Sequence, residues 1–132
     1  GKAMRYRDRL GRRDLALLFN VSAEFAYSID QRSLPDRARS AVFSSIPDAI
    51  LVSGAITGEA ARMSDLEAVK AVLPDTPVLA NTGVKHATVK DVLSVADGCI
   101  VGSSLKIDGN TWNPVDPVRA AEFMRLVRET RS

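Results

Sequence analysis

Several residue types that mark particular classes of protein are scarce in this sequence of 132 residues. It has one cysteine, Cys99, so it cannot form an intramolecular disulfide, and a disulfide-stapled fold is excluded. Because Cys99 lies in an apolar run, we expect it to be a core residue rather than a nucleophile. The single histidine, His86, has no cysteine or second histidine near it in sequence, so we expect no metal site. The sequence contains no P-loop, no G-x-G-x-x-G motif and no Ser-His-Asp order.

Charge of one sign and long apolar runs are also limited. The formal net charge is only +2, and no aromatic platform accompanies the basic residues that gather in residues 5–13. We interpret that segment as a solvated helix face and expect no nucleic-acid partner. No apolar run approaches the ~20 residues that a membrane span needs, and we expect no signal peptide. We therefore expect a cytoplasmic protein without a membrane span.

The sequence does contain a repeated alternation of strand and helix signals. Four short apolar runs without polar alternation predict strands buried on both faces, as in a parallel sheet covered by helices. The predicted strands are residues 15–21, 49–52, 78–80 and 99–101. Helix starts between and after them are marked by capping residues at Ser33, Ser64, Thr88 and Asp116. The sequence therefore predicts a single α/β domain over residues 1–132, built from consecutive βα units.

Two further features concern the organisation of the chain. The second and fourth predicted strands each follow an aspartate, Asp48 and Asp97, and lead into small residues, as expected when one supersecondary unit recurs. The first predicted helix, residues 3–10, has no capping residue before it. That start is typical of a fragment or a processed product.

Ligands of parallel α/β folds bind at the C-terminal ends of the strands, where loops and helix N-termini converge. We predict catalytic roles there for Asn20, Glu24 and Asn81, and we expect Ser53 to face the ligand; Thr57 lies in the same region. Glu24 is the best single candidate for a general base. An ordinary surface acid explains Glu24 equally well.

The loops after the third and fourth predicted strands indicate a phosphate site. Glycines let the backbone come close to a ligand, and exposed N–H groups can then hold a phosphate. In (βα)8 barrels the loops after strands seven and eight commonly do so. The predicted phosphate-binding residues are Gly83, Val84, Gly102, Ser103 and Ser104. The alternative is that these glycines only form tight turns.

A long polar segment, residues 106–117, follows the fourth predicted strand and contains Trp112, the only tryptophan. Connections of this length before a helix are uncommon unless they are functional. We expect Lys106 and Asp108 to face the ligand and Trp112 to pack. A cap that closes the end of a barrel is the alternative.

Several of these stretches resemble the BtpA family, a branch of the ribulose-phosphate-binding barrels. The resemblance covers roughly residues 3–128 and is most specific in the Gly-Ser-Ser-Leu-Lys run that ends at Lys106 and in Asn-Pro-Val-Asp-Pro, which ends at Pro117. The segments 48–58 and 77–84 also carry it. One departure is Ala23-Glu24-Phe25-Ala26, where family members often carry Val-Lys-His-Ala.

The resemblance implies the C-terminal half of a TIM (βα)8 barrel, strands five to eight. It implies binding of a phosphorylated small molecule, a sugar phosphate or nucleotide, with an unsettled reaction; which cofactor, if any, takes part is unknown. The alternative function is a non-catalytic biogenesis or assembly factor that uses the barrel as a scaffold, and an alternative fold is an open, flavodoxin-like sheet.

Half a barrel also predicts a missing partner. Its outer strands would leave their hydrogen-bonding edges open. We expect Leu18, Ile50, Leu79 and Ile100 to point across the barrel, and we expect a second copy or a separate chain with strands one to four to cover them.

Overall fold

The computed structural model describes residues 1–56 and 58–132, so Thr57 lies outside the described residues. Four parallel strands form one sheet in the order β1-β2-β3-β4. The strands are β1 (Leu18–Asn20), β2 (Ala49–Val52), β3 (Val78–Ala80) and β4 (Gly98–Cys99). The predicted parallel sheet is confirmed, with two changes of bounds. β1 begins three residues later and ends one residue earlier than predicted, and Leu15 lies instead in a turn, where its N–H donates to the carbonyl of Arg12. β4 begins one residue earlier than predicted and is shorter.

Helices occupy every connection between the strands. They are α1 (Lys2–Arg9), α2 (Leu34–Ser45), α3 (Met63–Val72), α4 (Val89–Val95) and α5 (Pro117–Arg131). Two short 3-10 turns, η1 (Ser103–Leu105) and η2 (Ile107–Gly109), lie between β4 and α5. This alternation confirms the α/β prediction.

The helix starts follow the predicted caps in part. Ser33 accepts a hydrogen bond from the N–H of Asp36, and Asp116 accepts from the N–H of Val118 at 2.8 Å, so both N-caps are confirmed. The predicted capping box at Ser64 is wrong. α3 begins one residue before it, at Met63, without a side-chain cap.

All of the helices that follow a strand pack on the same face of the sheet. Residues from α2, α3, α4 and α5 join a single core cluster with alternate strand residues. Its central members are Ala38, Ile50, Val52, Leu66, Val69, Val78, Ala80, Val89, Val92, Phe123 and Val127. A flavodoxin-like sheet has helices on both faces and a reversal in its strand order, so that alternative is wrong. The chain has the fold of half of a (βα)8 barrel.

The opposite face of the sheet would be the inside of the barrel. Leu18 and Ile100 lie on it and are 42% and 43% exposed. The prediction that Ile50 shares this face is wrong. Ile50 is fully buried under the helices and is paired in register with Val78. Its neighbour Leu51, paired with Leu79, faces inward instead, because side chains alternate between the faces and a shift of one residue exchanges them.

Two aspartates hold neighbouring strands together at their N-terminal ends. Asp48, just before β2, accepts from the N–H of Leu17, just before β1, at 2.6 Å, and from Arg7 of α1 at 2.9 Å. Asp97, just before β4, repeats the arrangement: it accepts from the N–H of Val78 at 2.8 Å and from Lys70 of α3 at 2.6 Å. The acidic lead-ins seen in the sequence therefore connect a strand start to a helix cation.

The hydrogen bonds of Asp97 predict a pH-dependent contribution to stability. Partial burial opposes its ionisation, but the bonds from Lys70 and Val78 outweigh that effect, and its pKa is lowered. A carboxyl with a lowered folded-state pKa stabilises above its unfolded pKa of about 4, and the contribution is lost as pH falls through the folded value.

We expect Asp97→Ala to lower the free energy of unfolding at neutral pH by about 1–3 kcal/mol, because the buried N–H of Val78 loses its acceptor. Urea unfolding as a function of pH measures this, and the difference between variant and parent should shrink below about pH 4. Glu122→Ala, which removes an exposed carboxylate from α5, is the control and should leave stability nearly unchanged. Equal losses in the two variants would contradict the role of Asp97.

The open face and the two outer strands predict that this chain associates. β1 and β4 each present an unpaired edge, and each large apolar side chain left in water forgoes about 1.5–3 kcal/mol. We expect size-exclusion chromatography with light scattering to show the isolated chain as a dimer or larger species. A well-folded monomer across micromolar concentrations would contradict this expectation.

Candidate functional site

Three of the predicted site residues form one hydrogen-bonded cluster at the C-terminal ends of the strands. The side-chain amides of Asn20 and Asn81 each donate to the hydroxyl oxygen of Ser53, both at 2.9 Å. The hydroxyl of Ser22 accepts from the N–H of Ser53 at 2.8 Å. Ser53 is only 5% exposed, so this cluster lies at the floor of the strand ends.

This cluster holds β1, β2 and β3 together but contains no acid or base. Its amide and hydroxyl groups hydrogen-bond mainly to one another. Among the described residues, no carboxylate hydrogen-bonds to the cluster. Catalytic roles for Asn20 and Asn81 therefore stay predictions. The geometry by itself fits a rigid floor that a ligand contacts.

A cavity of about 440 Å³ lies beside this floor, between the loop after β3, η1 and the start of α5. All five residues predicted to bind phosphate line it. The lining consists of Gly58, Gly83, Val84, Lys85, His86, Ala87, Gly102, Ser103, Ser104, Gly109 and Arg119. The tertiary structure thus brings together two loops that are separated by two elements in sequence.

The cavity is basic. Lys85 and Arg119 line it, and none of its lining residues is acidic. The backbone N–H groups of Gly102, Ser103 and Ser104 have no acceptor in the part of the chain that the structure describes. Cationic side chains and N–H groups without an acceptor together favour the binding of an anion.

Sequence reasoning missed Arg119. It lies in the first turn of α5, where its Nε donates to the carbonyl of Ser104 at 3.0 Å and its side chain reaches the cavity. The Asp116-Pro117 cap locates the helix start in the sequence, but nothing local indicates that this turn faces the loop after β3.

The two predicted phosphate-loop glycines have different roles. Gly83 has φ of +66°, and a side chain there would collide with the backbone of Glu59 and Ala60. That glycine is required by packing of the loop after β2. Gly102 lines the cavity and has open space where a side chain would lie, so its lack of a side chain leaves room rather than avoiding a clash.

His86 connects three of the segments that line the cavity. Its Nε2 lies 2.8 Å from the carbonyl oxygen of Arg119, and its Nδ1 lies 3.0 Å from the hydroxyl of Ser104. The ring packs edge-on against Phe123 with centroids 5.3 Å apart. One imidazole therefore ties the loop after β3 to η1 and to α5.

Glu24 lines a second, larger cavity of about 960 Å³ at the ends of β1 and β2. Its Oε2 is buried without a hydrogen-bond partner among the described residues, as is the Nε of Arg37, which lines the same cavity. Ser53 also borders it, and the adjacent residues Gly58 and Glu59 line the first and second cavity respectively. The two cavities are thus neighbours across the loop after β2.

The remaining predicted site residues lie elsewhere. Lys106 and Asp108 are not among the residues that line either cavity, and the ammonium group of Lys106 donates to the carbonyl of Thr111. Trp112, expected to pack, is 91% exposed. Thr57 lies outside the described residues.

Among residues 1–56 and 58–132, no three His, Cys, Asp or Glu side chains come together in a way that could hold a metal ion. No helix in the same part of the chain has the length and apolarity needed to cross a membrane.

Four parallel βα units with a basic cavity at the ends of the last two strands define half of a (βα)8 barrel. The structure is similar to that of N-(5'-phosphoribosyl)anthranilate isomerase from Pyrococcus furiosus, with a TM-score of 0.63 and 18% identity. The similarity covers 97% of this chain and 57% of the isomerase chain. At this identity the likeness shows the fold alone.

The chain belongs to the BtpA family, whose model matches residues 1–129. It is 40% identical over 131 residues to the putative sgc region protein SgcQ of Escherichia coli, covering 99% of this chain and 49% of that protein. It is 30% identical over 126 residues to the photosystem I biogenesis protein BtpA of Synechocystis, covering 96% and 44% respectively. The chain thus spans about half the length of these relatives.

Proposed function

We propose that this chain binds a phosphorylated small molecule, a sugar phosphate or a nucleotide, with its phosphate in the cavity between the loop after β3 and η1. The single observation that carries the proposal is the charge of that cavity: in the described part of the chain, Lys85 and Arg119 line it and no carboxylate does. Such a site attracts an anion and repels a cation.

Local geometry supports phosphate in particular. Backbone N–H groups without an acceptor and the guanidinium of Arg119 belong to residues that line one cavity, and several donors around one space suit a group with three acceptor oxygens. The structurally similar isomerase is named for a phosphoribosyl compound, which makes a sugar phosphate a natural class to test.

The rest of the ligand would extend over the loop after β2 towards the second cavity. Gly58 and Glu59 are adjacent in that loop and line the two cavities. There the ligand would meet Ser53, with Asn20 and Asn81 behind it, and Glu24, whose unpartnered Oε2 is suited to accept a hydrogen bond or a proton. A reaction at this end is part of the proposal, with Glu24 as the base.

A thermal-shift screen of sugar phosphates and nucleotides, each beside its unphosphorylated counterpart and with or without divalent metals, tests binding. A ligand at ~100 Kd should stabilise the chain by about 2.7 kcal/mol. Arg119→Gln should weaken binding of a hit by about tenfold or more, because a hydrogen bond to a charged group is lost.

Arg128→Gln is the matched control, since Arg128 is exposed on the same helix and lines neither cavity. Equal loss in both variants would mean that only net charge matters. If no ligand in the screen stabilises the chain, the proposal is contradicted. That result would favour the alternative of a non-catalytic biogenesis or assembly factor, and one relative is named as a biogenesis protein.

Gly102→Val tests the location of the site by steric exclusion. The new side chain would enter open space beside the cavity without striking the protein, so the fold should persist while the phosphate is displaced. Isothermal titration calorimetry with the hit should show binding lost. Ala71→Val, at an exposed position of α3, is the control and should bind as the parent does. A folded Gly102→Val variant with unchanged affinity would show that the site is elsewhere.

A further inference from the structure

We infer that His86 controls the anion site through Ser104, so that the affinity for a dianion rises when His86 takes up a proton. The inference rests on the proposed function, because it concerns the same cavity. It begins with the proton on His86. Nε2 faces the carbonyl oxygen of Arg119 at 2.8 Å, and a carbonyl can only accept, so Nε2 carries a hydrogen in every charge state.

The neutral imidazole carries one hydrogen, so its Nδ1 is then an acceptor. The hydroxyl of Ser104, 3.0 Å away, must donate to it. In that state the only hydroxyl hydrogen of Ser104 is donated to His86, and Ser104 has only lone pairs left to offer to the cavity that it lines. A bound dianion gains nothing from this hydroxyl.

Protonation reverses the direction of this hydrogen bond. Nδ1 then donates to Ser104, and the hydroxyl hydrogen is free to donate to an anion in the cavity. One proton taken up by His86 thus converts Ser104 from an acceptor into a donor for the ligand. His86 acts as a positioning residue, while Ser104 would contact the anion.

Among the described residues, the groups around His86 leave the exchange of this hydrogen to His86 and Ser104. Lys85 precedes it in the same loop, α5 contributes Arg119 and the ring of Phe123, and η1 contributes uncharged hydroxyls. In the part of the chain that the structure describes, no carboxylate lines the cavity from any of the elements around it. A bound dianion is therefore the group that would stabilise the imidazolium.

Sulfate is the suitable probe, since it stays a dianion where a phosphate monoester titrates, near pH ~6. Calorimetry at constant ionic strength should show sulfate binding about tenfold more tightly at about pH 5.5 than at about pH 8, the effect of one hydrogen bond to a charged group. His86→Gln keeps a donor for the Arg119 carbonyl but cannot titrate, so its affinity should not change with pH. Ser104→Ala should lose most of the pH dependence.

Ser103→Ala is the matched control: the same change in the same turn, at a hydroxyl that bonds to Thr111 and not to His86, should keep the pH dependence. If Ser104→Ala keeps it in full, His86 acts by its charge alone and the inference is overturned. Sulfate binding that does not vary with pH in the parent overturns the inference and leaves the proposed function standing. No sulfate binding at either pH overturns the inference, while the screen of sugar phosphates and nucleotides decides the proposed function separately.

A second measurement needs no variant. His86 is the only histidine, so nitrogen-15 NMR of the imidazole reports a single side chain. The neutral form should carry its hydrogen on Nε2. A hydrogen on Nδ1 would overturn the inference whatever the calorimetry shows.

Discussion

One constraint organises this molecule: each parallel strand is connected to the next by a helix that returns over the same face of the sheet. Right-handed crossovers between neighbouring strands leave the helices no other side when the strand order does not reverse. The helices therefore bury Ile50, Val52, Val78 and Ala80 completely or nearly so. The cost is an opposite face on which Leu18 and Ile100 remain more than two-fifths exposed.

The same constraint creates the candidate site. All strands run in one direction, so their C-terminal ends, and the loops that leave them, meet at one edge of the sheet. The N-terminal edge is held by Asp48 and Asp97, which connect strand starts to helix cations. These contacts and the candidate site therefore lie at opposite ends of the strands, the arrangement that (βα)8 barrels use to separate stability from function.

At the C-terminal edge, structural and ligand-facing roles are closely mixed. Packing explains Gly83, and mutual hydrogen bonds explain the Asn20–Ser53–Asn81 cluster. By contrast, space at Gly102, the guanidinium of Arg119 and the N–H groups of η1 are still available to a ligand. A ligand is best sought where such groups remain. The relatives are about twice as long as this chain. The open face of the sheet is a surface on which additional structure can pack.

The sequence by itself determined the α/β class, the strands at 49–52 and 78–80, the caps at Ser33 and Asp116, and the glycine loops that line the cavity. These follow from local pattern: apolar runs, capping chemistry and small residues at strand ends. The tertiary structure decided what depends on register and distance. It placed Ile50 under the helices and Leu51 inside, started α3 at Met63, and left Lys106 and Asp108 away from the cavities. It also brought Arg119 and Ser104 to His86. Those contacts join residues far apart in sequence through the packing of α5 on the sheet, and local pattern does not encode which face of a helix turn meets which loop.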